Sequence, residues 1–433
     1  KSKKGLSLNK KMLAFLFVSF TLEFMRMKRE LKLIPGHETR AGIYHLVART
    51  VWKTFLFHDQ EKEQLRYIMR AYEGFCGVRV LTYCLMSNHF HILLEVPPKQ
   101  DADKLLEAPD SDFLDRLAFI YSAEFVEEFR EKIESARADG AEGDKQGLKN
   151  DEGVTASELA EIYIRGLKQR YTRRMCDLSE FMKSVKQRFT QWYNTENGTK
   201  GTLWEGRYKS ELVQSGYAAQ TVAGYIDLNP LRAGMVSDPK DYRWCGYAEA
   251  LAGKKEAQLG LLSVMQGVEN VVPNRELLGE LSQSWKEVMG EYRMVLAVDG
   301  MASDTEETAA AAPVQGERKS IRSKKRKGYS REESERILES GGKLSRAELL
   351  HCRVRHFSDG VVLGSKEFVN AFYQRLKTTA QNDPKYQGQY EKRETGARKM
   401  KAMYGEALFS MRDLKKDAYG DTGNAGDAGK TIG

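Results

Sequence analysis

Two histidines, His89 and His91, flank Phe90 in the segment HFHILLEV. Side chains alternate along a strand, so both imidazoles project from one face while Phe90 points to the other. About 7 Å apart, two such rings can converge on one divalent metal. The chain has only seven histidines, which makes two on one strand face notable. An isolated His-x-His pair is nonetheless better explained as two half-exposed sheet histidines. Of 20 tyrosines, Tyr225 stands out because it precedes Asn229 by four residues near a helix end, so phenol and amide share a face. On spacing alone a packed helix tyrosine explains it better. A third set is basic: Lys183, Lys186 and Arg188 on one helix, then Arg207 and Lys209 on the next strand, with Trp192, Trp204 and Tyr208 interleaved. Cations that hold phosphates beside rings that stack on bases suit a single-stranded nucleic-acid groove. A solvated basic face accounts for the same residues nearly as well.

The elements that must position these groups can be read from the pattern. GIYHLVARTV (Gly42 to Val51) reads as a strand and Asp59 to Tyr72 as a helix through Leu65, Ile68 and Met69. VRVLTYCLM (Val78 to Met86) and HFHILLEV then form an antiparallel hairpin across Ser87 and Asn88. Asp177 caps an amphipathic helix with apolar positions Leu178, Phe181, Met182, Val185, Phe189 and Trp192. A strand over Leu203 to Val213 follows, then a helix from about Tyr217 to Leu228 that Asn229-Pro230 ends. The order β-α-β-β-α-β-α predicts an α+β fold: a ferredoxin-like antiparallel sheet with helices on one face.

At 433 residues, with 41% apolar and 30% charged residues, the chain has material for two or three domains and is too polar for an integral membrane protein. Its 69 Lys and Arg against 61 Asp and Glu leave a net charge of +8, so the clustering of base matters more than its total. Five scattered cysteines without a CxxC pair argue against a disulfide framework or cysteine zinc site and favour a reducing compartment.

Residues 1–24 carry five lysines and the apolar run MLAFLFVSFTL, too short to span a bilayer and lacking a small-residue cleavage site. They are expected to be an upstream extension. Residues 25–247 form the main domain, with a partly helical insertion at about 100–175. Within it, Ala136 to Gly153 has almost nothing to bury and predicts an exposed mobile segment, after which Thr155 and Glu158 restart a helix as a capping box. A helical extension (248–298), an acidic then basic linker (299–329, with seven Lys or Arg from Arg318 to Lys327), a mainly helical module (330–412) and a disordered tail (413–433) complete the expected organisation. In the module, Gly360 and Gly364 predict a tight turn before a helix capped by Ser365, whose N-terminus is placed to bind phosphate or to dock on the main domain.

Together, GIYHLVART, YCLMSNHFHILLEV, GTLWEGRYKS and YIDLNPLRAGMV, in that order, resemble the single-tyrosine HUH transposases, specifically the REP-associated tyrosine transposase branch. The resemblance spans about Gly42 to Tyr247. It implies that His89 and His91 are metal ligands for Mg²⁺ or Mn²⁺ and that Tyr225 is the nucleophile. Asn229 stands where related transposases carry a metal-binding glutamine, with a shorter side chain here. The implied activity is a metal-dependent endonuclease and strand transferase that acts on single-stranded DNA beside repetitive-extragenic-palindrome-like hairpins, through a 5′-phosphotyrosine. The basic and aromatic residues noted above, Lys183, Lys186, Arg188, Arg207, Lys209 and Trp204, are the candidate DNA contacts. A cytoplasmic, nucleoid-associated monomer or homodimer is expected. Two other classes compete: a domesticated hairpin-DNA binder with vestigial catalysis, and a metal hydrolase built on His89 and His91. The hydrolase lacks a suitable acid, since Glu95 lies about 13 Å along the strand from His91.

Overall fold

The computed structural model describes residues 40–147, 149, 153–267, 275–296, 361–381, 398–399 and 408–410. The expected extension at 1–24, the linker at 299–329, most of the C-terminal module and the tail lie outside the described residues.

The core runs β1 (Gly42–Arg49), α1 (Asp59–Cys76), β2 (Arg79–Leu85) and β3 (His89–Val96). The insertion adds α2 (Lys99–Lys104), α3 (Asp110–Ala118), α4 (Ala123–Lys145) and α5 (Ala156–Thr172). Then come α6 (Leu178–Asn197), β4 (Lys209–Val213), α7 (Tyr217–Asp227), α8 (Asn229–Arg232), α9 (Gly246–Leu251), α10 (Lys255–Gln266) and α11 (Arg275–Leu296). The described C-terminal elements are β5 (Val362–Gly364), α12 (Lys366–Gln381), β6 (Arg398–Lys399) and β7 (Phe409–Ser410).

The sheet order is β2-β3-β1-β4-β5-β7-β6. Its first four strands pair antiparallel throughout, the arrangement expected of a ferredoxin-like βαββαβ unit. β5 joins β4 in parallel, so the C-terminal region lengthens the same sheet.

Alternation along β1 and β3 sorts the layers. Leu46, Ala48, Phe90, Ile92 and Leu94 point to a core shared with Leu65, Ile68 and Met69 of α1 and with Phe181, Met182, Val185 and Phe189 of α6. Each of these side chains larger than alanine contributes roughly 1.5–3 kcal/mol on burial. These two helices supply the expected layer on one face. A second layer covers the other face: Ile43, Leu93 and Val213 pack with Val222, Ala223 and Ile226 of α7 and with Leu261 and Val264 of α10. The sheet is therefore buried on both sides, which explains the nearly unbroken apolar run in β2.

Two expectations need correction. The segment from Ala136 is exposed over most of its described length, as expected, but it is regular in structure: α4 continues to Lys145. Gly140 and Gly143 are buried, and a Cβ on Gly140 would sit 2.9 Å from the Ala160 Cβ, so glycine there lets α5 approach instead of ending the helix. The strand expected over Leu203 to Val213 begins only at Lys209; before it, Thr50 and Trp204 make a single bridge. The capping box of Thr155 and Glu158 forms as predicted, as do the caps by Asp177 and Ser365. The backbone N–H of Ser365 donates to Gln214 Oε1 at 2.6 Å, which ties α12 onto the end of β4.

Candidate functional site

Residues 43, 45 and 47 of β1, 89, 91 and 93 of β3, and 209, 211 and 213 of β4 share the face covered by α7. His91 and Tyr225 meet there, with ring centroids 6.1 Å apart and planes near perpendicular. His89 lies 5.2 Å from His91, centroid to centroid. A third imidazole joins them. His45 of β1 stacks on His91 at 5.2 Å and hydrogen-bonds to it, Nε2 to Nδ1, at 2.9 Å; its ring lies 6.2 Å from Tyr225. Glu211 is the cross-strand neighbour of His45 on β4, and both are buried.

Burial, followed by the neighbouring His89, His45, Arg232 and Arg49, holds His91 well below the ordinary histidine range. It is neutral and so keeps a lone pair. In the tautomer that carries its proton on Nδ1 and donates it to His45 Nε2, that lone pair is on Nε2. His89 Nδ1 donates to Asn88 Oδ1 at 2.7 Å, so the nitrogen this ring could offer a cation is Nε2. The two imidazoles fit a divalent cation in this respect. Among the described residues no group of three or more His, Cys, Asp or Glu converges as a complete cation site.

Tyr225 is buried, and the Arg232 guanidinium lies 4.1 Å from its ring centroid. Arg232 also donates to the Tyr225 carbonyl. Asn229 turns its Nδ2 to the carbonyls of Tyr225 (3.3 Å) and Ile226 (3.1 Å), closing the helix end, so a ligand role falls to Oδ1. Just beyond the phenol, Asp227 is fully buried. It accepts from Thr82 Oγ1 at 2.9 and 3.0 Å, from the Tyr247 backbone N–H at 3.3 Å and from the Tyr292 hydroxyl. Burial outweighs these donors and lifts its carboxyl from 3.8 to about 7. Glu95 is buried against Arg79 at 3.4 Å, so it is spent on an ion pair away from the histidines.

The expected DNA contacts divide. Arg207 and Lys209 are exposed, and Lys209 shares a cross-sheet row with Val47 and His91. Lys183, Lys186 and Arg188 belong to α6, which packs on the opposite face from Tyr225. Lys183 pairs with Glu180 at 3.2 Å, and Lys186 reaches the Gly206 carbonyl at 2.8 Å. Trp204 is a correction: it is buried among Phe57, Phe90 and Phe189, and its Nε1 donates to Thr190 Oγ1 at 2.9 Å. A ring closed on those sides builds the core and does not meet a base.

The spacing rules passed over His45 and Arg232. The signal for His45 was its odd position in GIYHLVAR. For Arg232 it was its place seven residues after Tyr225, about two helical turns on.

Residues 39–133 match the family described as IS200-like transposases. No curated protein and no solved structure matches the chain. The matched span holds all three imidazoles, while Tyr225 lies beyond it. It supports a transposase function, and with it DNA binding and DNA recombination in general. No helix among the described residues is long and apolar enough to cross a membrane.

Proposed function

We propose that the protein is a metal-dependent nicking and joining enzyme for single-stranded DNA, of the REP-associated tyrosine transposase kind, with Tyr225 as nucleophile. The observation that carries this reading is the meeting of Tyr225, from the late helix α7, with His91 and His45 of two central strands at ring distances of 6.1 and 6.2 Å. Those residues lie far apart in sequence, and the fold brings them to one place.

The Tyr225 hydroxyl gives its proton to solvent as its oxygen attacks the scissile phosphorus; a new phosphorus–oxygen bond forms, the bond from phosphorus to the 3′-oxygen breaks, and that oxygen takes a proton back from solvent. The product is a 5′-phosphotyrosine, and a different 3′-hydroxyl can reverse the step without ATP. Mn²⁺ or Mg²⁺ at His89 and His91, with Asn229 Oδ1 and phosphate oxygens completing the set, would neutralise charge on the phosphate. Imidazole donors favour Mn²⁺. Arg232, already against the phenol ring, is placed to meet the phosphate brought to it. Arg207 and Lys209 hold the backbone of a strand whose neighbouring hairpin marks the site.

The test incubates the protein with hairpin-bearing single-stranded oligonucleotides and Mn²⁺ or Mg²⁺ and looks for a denaturation-resistant adduct. Wild type forms it. His89→Ala and Tyr225→Phe lose it, while Tyr225→Phe still binds the DNA. An undiminished adduct from Tyr225→Phe would move the nucleophile to another tyrosine, such as Tyr193 or Tyr208. Tight binding with no adduct from wild type would instead make the protein a hairpin-DNA binder.

A further inference from the structure

The turn after β1 holds two large aromatic rings in water. Trp52 is 89% exposed and Phe55 67%. Trp52 (φ 56°) and Lys53 (φ 55°) are both in the left-handed region, a conformation a bulky side chain adopts only when its surroundings impose it.

Hydrogen bonds on either side of the turn impose it. Thr50 Oγ1 donates to the Thr54 and Asn88 carbonyls (2.7 and 3.0 Å), the Val51 N–H donates to the Leu203 carbonyl (2.8 Å), and Asn88 Nδ2 donates to the Lys53 carbonyl (3.0 Å). The other end of the same Asn88 amide, Oδ1, holds His89 Nδ1 at 2.7 Å. One amide thus fixes both the imidazole and the turn that displays Trp52. Arg49, opposite His89 in the register, and exposed Lys53, Arg207 and Lys209 bring positive charge to this end of the sheet.

We propose that Trp52, supported by Phe55, is a stacking platform for an unpaired nucleobase of the strand that runs into the His89 and His91 site. The proposal rests on the DNA-processing reading above. An apolar ring kept in water and in a strained backbone, on a turn that the Asn88 side chain ties to His89, has no packing role in the fold. A flat π-face beside cations is what an unpaired base recognises, with little regard to sequence. Stacking would fix the base next to the scissile phosphate and hence the position of that phosphate.

The experiment uses the full chain in EDTA, so that binding is read without cleavage. The probe is a fluorescein-labelled single-stranded oligonucleotide carrying one hairpin, together with versions bearing one abasic site at each successive position of its single-stranded arm. Trp52→Ala should weaken binding roughly 5- to 150-fold, the range for losing one base–aromatic stack, and Trp52→Phe should keep most of the affinity. One abasic position should cost wild type a similar factor and cost Trp52→Ala nothing further. Trp52→Gly guards against misfolding: glycine suits a φ of 56°, so this variant should melt no lower than wild type and still bind weakly. If wild type forms the Mn²⁺-dependent adduct while Trp52→Ala and Trp52→Gly bind as it does, the stacking proposal alone falls. If wild type neither binds the oligonucleotides nor forms an adduct, the enzymatic reading falls and takes this proposal with it.

Discussion

Asp227 sits two residues past the candidate nucleophile and is held by Thr82, Tyr247 and Tyr292, all neutral donors. No cation is among those partners, so burial dominates and the carboxyl rises from 3.8 to about 7. Because the folded value lies above the unfolded one, the stability contribution is intact below about pH 4 and is withdrawn as pH rises through about 7. At about 1.4 kcal/mol per tenfold, the whole swing is roughly 4 kcal/mol. Asp227→Asn keeps the shape and removes the charge. The Thr82 and Tyr292 hydroxyls can turn to accept from the new amide, at a cost of about 1 kcal/mol per disturbed hydrogen bond. The variant should therefore be less stable than wild type at pH 5 and at least as stable at pH 8.5. Urea unfolding of both proteins across that range measures it, and the comparison cancels every other titrating group. A difference between wild type and variant that stays constant from pH 5 to 8.5 would refute the burial argument.

Three further outcomes are expected. His45→Ala should raise the Mn²⁺ concentration needed for adduct formation about 10- to 100-fold, with the rate restored at saturating metal, because His45 orients His91 and does not touch DNA; an unchanged metal titration with a lowered ceiling would contradict that role. Lys209→Ala should reduce the salt dependence of DNA binding by about one phosphate contact, whereas Lys183→Ala and Arg188→Ala, on the far face, should leave the slope as it is; the reverse pattern would put the DNA on α6. Gly260→Ala should destabilise by about 1–3 kcal/mol in a thermal melt, since its Cβ would lie 2.5 Å from the Leu81 carbonyl oxygen and 2.7 Å from that of Val80, both backbone atoms of β2; an unshifted melt would mean that α10 sits further from the sheet.

Local pattern made the first four strands and their two helices legible, because alternation, caps and turn residues all act within a few residues of one another. Asp177 and Thr155 cap their helices as read, and the His89–His91 face follows directly from the period of a strand. What pattern could not supply is what lies across space. Trp204 sits among lysines and arginines in sequence, yet its neighbours in the fold are Phe57, Phe90 and Phe189. Gly140 has the composition of a loop and the environment of a helix contact, since Ala156, Ser157 and Ala160 of α5 leave no room there for a side chain. The same limit applied to chemistry. Tyr225 stands out by its spacing from Asn229 and His91 by its pairing with His89, while His45 gains its partner only where β1 lies beside β3, and Trp52 its setting only where exposure and the tie of its turn to Asn88 coincide. A nucleophile and a metal pair are recognised by their own functional groups. The residues that aim them are recognised by a hydrogen bond made to someone else, which is why the aiming residues are the ones that coordinates add.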